Sequence, residues 1–313
     1  MLNNNQKNYL HLHLIVFIWG FTAVLGALIT VDAIPLVWYR MVLATFFVGG
    51  YIWYSGFSLR VPMRTLLAFI LAGVVLALHW VAFFMAVKVS NVSVTLAMIS
   101  TGALFTSVLE PIWYKRRVIW YELVLGLVVI LGLYLIFRVG SDYVEGIVLA
   151  LIAALLSSVF SLMNGKFVKQ YRPSVISFYE LLSGVAFLSV CMGGEVFTDG
   201  FIMLSPKDWL YLLVLASVCT AYALISSVKV MKYISPYTVM LTINMEPVYG
   251  ILLAFMILGD TEKMNPEFYL GAVVILITVL ANGVLKHREE SKRQKNSAAG
   301  NGIDPPGDIG ICR

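Results

Sequence analysis

The chain has 313 residues, of which 60% are hydrophobic and 12% charged, and its formal net charge is +5. Soluble domains carry about a quarter charged residues, so this chain cannot cover a water-facing surface, and a mean hydropathy of +0.88 makes lipid its solvent. The positive charge lies in short loops and a polar tail where basic and aromatic residues do not interleave, which excludes a nucleic-acid footprint.

Ten apolar stretches follow in chain order: Leu10–Ile29, Ala33–Tyr54, Thr65–Val87, Asn91–Tyr114, Val118–Phe137, Gly146–Gly165, Ser174–Met192, Lys207–Val228, Pro236–Leu258 and Pro266–Leu285. Each has about the 20 residues that a helix needs to cross roughly 30 Å of hydrocarbon. Period-2 alternation is absent, and a barrel strand is only about 10 residues long. The reading is an all-α integral membrane protein with ten transmembrane helices. The first stretch is too long for a cleaved leader and no small-residue cleavage site follows it before Pro35, so it is expected to remain as the first helix. Cys191 and Cys219 fall in different spans and Cys312 in the tail, so no disulfide framework is expected.

Lys and Arg collect on cytoplasmic loops. With the N-terminus inside, 17 of the 22 basic residues fall on inner segments, among them Arg60, Arg64, Lys166, Lys169, Arg172, Lys229 and Lys232. Four, Lys88, Arg138, Lys207 and Lys263, fall on outer ones, and Arg40 lies within a span. Both termini are therefore expected in the cytoplasm, at the inner membrane. The divisions are residues 1–9 as a cytoplasmic tail, 10–138 and 145–285 as two five-helix units, and 286–313 as a disordered cytoplasmic tail.

The two units repeat. Gly126 and Glu122 align with Gly271 and Glu267 at an offset of 145, Lys88 with Lys232 at 144, and Val37-Trp38-Tyr39-Arg40 with Ser177-Phe178-Tyr179-Glu180 at 140. An odd number of crossings per unit inverts the second, an arrangement that secondary transporters use with the site at the midplane. At offset 144 Glu246 lies opposite Gly102, so Glu110-Pro111 and Glu246-Pro247 sit at different depths despite their likeness.

Ile18-Trp19-Gly20, Trp38-Tyr39-Arg40, His79-Trp80, the run Ser100 to Thr106 and Met245-Glu246-Pro247-Val248-Tyr249 resemble, in order and spacing, the drug/metabolite transporter superfamily in its ten-helix form with two EamA-type repeats. The resemblance covers about residues 10–286. It implies two inverted five-helix repeats around a central cavity lined mainly by helices 1, 3, 4, 6, 8 and 9. It also implies alternating access, with solutes such as amino acids, metabolites or drugs, often exported. It implies no cofactor.

An ionisable group at the bilayer centre costs about 2.5–3.5 kcal/mol on insertion scales, so each one needs a reason. Glu246 is the eleventh residue of a 23-residue span, and Pro247 removes a backbone donor beside it. It is either a binder of a proton, a cation or an amino group, or a structural carboxylic acid bonded to a neighbouring helix. Arg40 is either a carboxylate-binding fork or a structural residue, paired with an acid or snorkelling to the outer headgroups. Glu180, its repeat-mate, reads better as a structural partner than as a solute contact. His79 beside Trp80 is either a titrating or solute-contacting group or a packing residue, and no metal-ligand spacing surrounds it. Trp19, Trp80, Tyr222 and Tyr249 are candidates for an aromatic cavity wall, Asn244 and nearby Ser and Thr for a polar one, and Gly102 for space where the halves meet.

The reading favoured is a secondary carrier of a small organic solute, with protons as the candidate coupling ion. Its alternatives are an uncoupled carrier of the same solutes and, in another class, a membrane-embedded enzyme or receptor. A Gly-x-Ser-x-Gly elbow, a His-Glu-x-x-His pair and a phosphate-binding Gly-x-x-x-x-Gly-Lys loop are all missing from the sequence.

Overall fold

The computed structural model describes residues 4–115, 121, 124–125, 128–129, 131–132, 143–193, 203–234, 236–243, 245–278, 280–281 and 284–285. Most of the fifth predicted span, Arg116, Arg117, Arg138, Asn244 and the tail 286–313 lie outside the described residues. Among the described residues every regular element is helical: α1 (Asn4–Leu28), α2 (Ala33–Tyr54), α3 (Met63–Val89), α4 (Val92–Ile99), α5 (Gly102–Tyr114), α6 (Val144–Phe167), α7 (Pro173–Met192), α8 (Pro206–Ala216), α9 (Ala223–Val230), α10 (Pro236–Ile243), α11 (Glu246–Leu258) and α12 (Pro266–Thr278). Seven stretches within these are long and apolar enough to cross a membrane, those of α4–α5 and of α8–α9 each being counted as one. Their outward residues are apolar too. Phe46, Trp53, Val190 and Met256 are 74%, 86%, 81% and 80% exposed, a surface that suits hydrocarbon and would aggregate in water.

Three of the predicted single spans are interrupted, each for a local reason. Between α4 and α5 the hydroxyls of Ser100 and Thr101 donate back to the carbonyls of Ala97 and Met98 at 2.6 and 2.7 Å. The Thr101 amide tightens onto Met98 at 3.0 Å, and Gly102 follows with little helix propensity. Between α10 and α11 the Met245 amide likewise reaches only three residues back, to Thr242, at 3.0 Å. Pro247 then leaves the Ile243 carbonyl without its helical donor. The third interruption is a π-helical turn, Ser217–Tyr222, joining α8 to α9.

These breaks display the repeat. α4 and α10 each have 8 residues, and α5 and α11 each have 13. α5 starts at Gly102 and α11 at Glu246, the two positions that the 144-residue register sets opposite. Packing is reciprocal as well. α1 lies on α11 while α6 lies on α4 and α5, and α3 lies on α7 while α8 lies on α2. Each unit thus packs on its counterpart as the counterpart packs on it, the pattern of a pseudo-two-fold relation. Small residues make the crossings close. A Cβ on Gly20 of α1 would stand 3.1 Å from the Gly250 nitrogen of α11, and in lipid such close approach supplies the packing that the hydrophobic effect does not.

Two buried carboxylates tie one unit to the other at loop ends. Asp208, at the start of α8, accepts from the Thr30 amide and the Thr30 hydroxyl, both at 2.8 Å. Glu262 accepts from the Val92 and Ser93 amides at 3.2 and 2.9 Å and from the Ser93 hydroxyl at 2.8 Å. It supplies acceptors to the orphan N–H groups that open α4, where a negative charge also meets the favourable end of the helix dipole.

Candidate functional site

The breaks converge on one internal cavity, with about 80 Å³ open to the centres of water molecules. That is space for several waters. α1 contributes Trp19 and Thr22, α2 Arg40, and α3 Leu76, His79, Trp80 and Phe83. α6 adds Ser157, Phe160 and Ser161, the π turn Cys219, α9 Leu224 and Ser227, and α10–α11 Val239, Ile243 and Glu246. Helices 1, 3, 4, 6, 8 and 9 of the expected set all contribute, and the second helix adds Arg40.

Arg40 is 2% exposed. Its Nε donates to Thr220 Oγ1 at 2.6 Å and its Nη2 to the Cys219 carbonyl at 3.4 Å. The π turn makes both acceptors available. Widening the helix lets Thr220 Oγ1 donate in turn to the Leu215 carbonyl, five residues back, at 2.6 Å. The face of the guanidinium lies over Trp80, 3.9 Å from the ring centroid, an arrangement worth about 2 kcal/mol or more when desolvated. Nη1 has no hydrogen-bond partner. Arg40 therefore neither snorkels nor forms an ion pair among the described residues. Its stem is too deeply enclosed for the headgroups, and the nearby acceptors are a hydroxyl and a carbonyl.

Glu246 opens α11 at the break and is 6% exposed. Among the described residues no hydrogen bond or ion pair engages its carboxylate. It shares the cavity with Arg40, so an acid and a base face one enclosed space without closing on each other. His79 donates from Nδ1 to the Ala153 carbonyl at 2.8 Å. A carbonyl only accepts, so the Nδ1 proton is fixed, and the neutral ring keeps Nε2 as an acceptor.

Five sequence candidates meet in the cavity: Trp19, Arg40, His79, Trp80 and Glu246. Pro247 stands next to Glu246, buried in α11. The others are elsewhere. Gly102 is at a helix contact, where its carbonyl accepts from Ser158 at 2.7 Å and a Cβ would meet Met240. Glu180 is fully buried between α6 and α7 and accepts from Asn164 Nδ2 at 2.8 Å. Tyr222 is 44% exposed and hydrogen-bonded to His11 at 2.9 Å. Tyr249 stacks edge-on against Phe17, centroids 5.5 Å apart, in a groove at the α1 surface. Both tyrosines were expected in the cavity wall, but neither lines it. Asn244 lies outside the described residues.

Sequence reading missed Thr22, Phe83, Phe160 and Ser161. Helical spacing was the available signal. Thr22 follows Trp19 by one turn, Phe83 follows His79 by one turn, and Ser157, Phe160 and Ser161 stand at i, i+3 and i+4.

The EamA-like transporter family matches the chain twice, over residues 7–138 and 144–283. A Clostridium kluyveri protein described as an uncharacterized transporter is 25% identical over 208 residues, which are 63% of this chain and 65% of that protein's length. A solved structure titled "Crystal structure of protein" superposes with a TM-score of 0.66 over 91% of this chain and 99% of its own, at 16% identity. That likeness concerns the fold. The double family match, the repeated helical units and the lipid-facing surface lead to one conclusion: the chain belongs to the EamA-like transporter family and is a multi-pass membrane protein.

Proposed function

We propose that this membrane protein is a secondary carrier, in which two inverted five-helix repeats open one cavity to each side of the membrane in turn. It moves a small organic solute out of the cell, coupled to protons at Glu246. The observation that carries the reading is the state of Glu246. It is buried at the midpoint of a broken helix, faces the cavity and has no structural partner for its carboxylate among the described residues. A charge that costs about 2.5–3.5 kcal/mol at such depth, and that feels Arg40 across the cavity without bonding to it, is suited to taking up and releasing a proton as access changes. The paired breaks support the same reading, because an interrupted hydrogen-bond ladder at membrane depth is tolerated where it lines protein or a wet cavity. The loop bias in Lys and Arg supports cytoplasmic termini at the inner membrane, and the outward direction follows the family resemblance.

The test is proton flux into proteoliposomes loaded with a pH-sensitive dye, after adding a mixture of amino acids and nucleosides. The wild-type chain is expected to move protons with solute. Glu246→Gln is expected to lose that coupling while gradient-free solute exchange continues. Wild-type flux that ignores the gradient supports the uncoupled carrier instead, and coupling retained in Glu246→Gln removes the proton from that residue.

A further inference from the structure

We propose that the cavity holds an anionic head of its solute, a carboxylate, between Arg40 Nη1 and the Thr22 hydroxyl. The proposal rests on the carrier reading above and names the chemistry of what is carried.

Two buried donors in the cavity lack an oxygen acceptor. Arg40 Nη1 has no hydrogen-bond partner and Thr22 Oγ1 none stronger than the Cys219 thiol, in side chains 2% and 5% exposed. Both residues line the cavity and both border Cys219. Arg40 bonds its carbonyl, and Thr22 lies beside its thiol, a weak hydrogen-bonding group. Buried donors left unsatisfied are destabilising, and a charged one most of all. What the place asks for is an acceptor with more than one oxygen and a negative charge.

The guanidinium is already aimed. Thr220 and the Cys219 carbonyl hold Nε and Nη2, and Trp80 supports its face at 3.9 Å. Little ordering is left to lose when an acid arrives. A neutral amide satisfies one hydrogen bond and brings no charge to the guanidinium, and a protonated amine is repelled by it. Glu246 lines the same cavity without pairing with Arg40, so the protein's own acid does not take the place. Trp19, Phe83 and Phe160 of the same cavity wall offer aromatic surface to an apolar body. The solute class is therefore an organic acid with a compact apolar or aromatic body.

The experiment uses the full-length protein in detergent and reads ligand-induced shifts of thermal unfolding. The probes are two matched sets: 3-phenylpropionate, 3-phenylpropanamide and 3-phenylpropylamine, and hexanoate with hexanamide. The acids are expected to stabilise at concentrations at least ~10-fold below their amides, as a charge-assisted hydrogen bond implies, and the amine to give no shift. Arg40→Gln removes the preference and Arg40→Lys retains part of it. Thr22→Val deletes one hydroxyl at nearly constant volume and narrows the gap about fivefold. If Arg40→Gln does not fold, Thr22→Val decides. Equal response to acid and amide, a gap that Thr22→Val leaves unchanged, or no shift with either acid overturns the proposal. Each of those outcomes leaves alternating access standing, since that is read by labelling from the two faces and by proton flux.

Discussion

Thr220 does two things with one oxygen. It accepts from Arg40 Nε and donates to the Leu215 carbonyl, both at 2.6 Å. Replacing it with Val leaves a buried, charged N–H without an acceptor, at a cost of about 1–3 kcal/mol. Thr220→Val is expected to lower the thermal unfolding midpoint by several degrees, whereas Thr220→Ser keeps the hydroxyl and the midpoint. Equal midpoints for the two variants contradict the clamp. At this scale the sequence was readable where chemistry was costly. Glu246 and Arg40 drew notice because a charge in an apolar span needs a reason, and both line the cavity. Thr22 gave no such signal. A lone threonine is ordinary in a membrane helix, and only the fold sets it beside Cys219 and Arg40. Tyr222 and Tyr249 misled for the converse reason, since an aromatic residue packs equally well against lipid, a neighbour or a cavity.

At the scale of the element, hydropathy marks a span but not its interior. The ninth span announced its break through Pro247, which cannot donate to Ile243. The matching break after Ile99 was hidden, because Ser100 and Thr101 break the ladder through back-bonding that no hydropathy window registers. The π turn over Ser217–Tyr222 contains neither Gly nor Pro, and its Thr220 hydroxyl and Cys219 carbonyl meet Arg40 of α2. Loop acids were equally silent. Glu262 reads as one more charge in a polar link, yet it accepts both amides that open α4 as well as the Ser93 hydroxyl. Glu262→Ala leaves those amides without acceptors in a buried place, a loss of about 1–3 kcal/mol. Faster hydrogen exchange at Val92–Thr95 than in the wild-type chain is the expected reading, and unchanged protection there contradicts the capping role.

For the molecule as a whole, the repeat was the most legible feature, because two copies of one five-helix plan leave paired landmarks at constant spacing. The structure carries that spacing into equal element lengths and reciprocal packing. Inversion follows from odd crossings per unit, and it has a direct consequence for sidedness. A cysteine placed at Asp32, on the link after the first helix of one unit, and one at Lys169, on the equivalent link of the other, are expected to react with an impermeant maleimide from opposite faces of the cell. Reaction of both from one face contradicts the inverted arrangement. What the sequence left unread at this scale is which faces of the helices turn inward, since in lipid both faces are apolar and periodicity is weak.

Alternating access is the claim on which the carrier reading depends, and Cys219 offers a native reporter for it. It is a free thiol, 3% exposed, in the wall of the cavity. With Cys191 and Cys312 replaced by Ser, the decisive measurement is the rate at which a small impermeant thiosulfonate modifies Cys219 from each side of oriented vesicles. Modification from both faces is expected, with a cavity-filling solute slowing the two rates together. Modification from one face alone, under every condition of solute and pH gradient, would contradict alternating access.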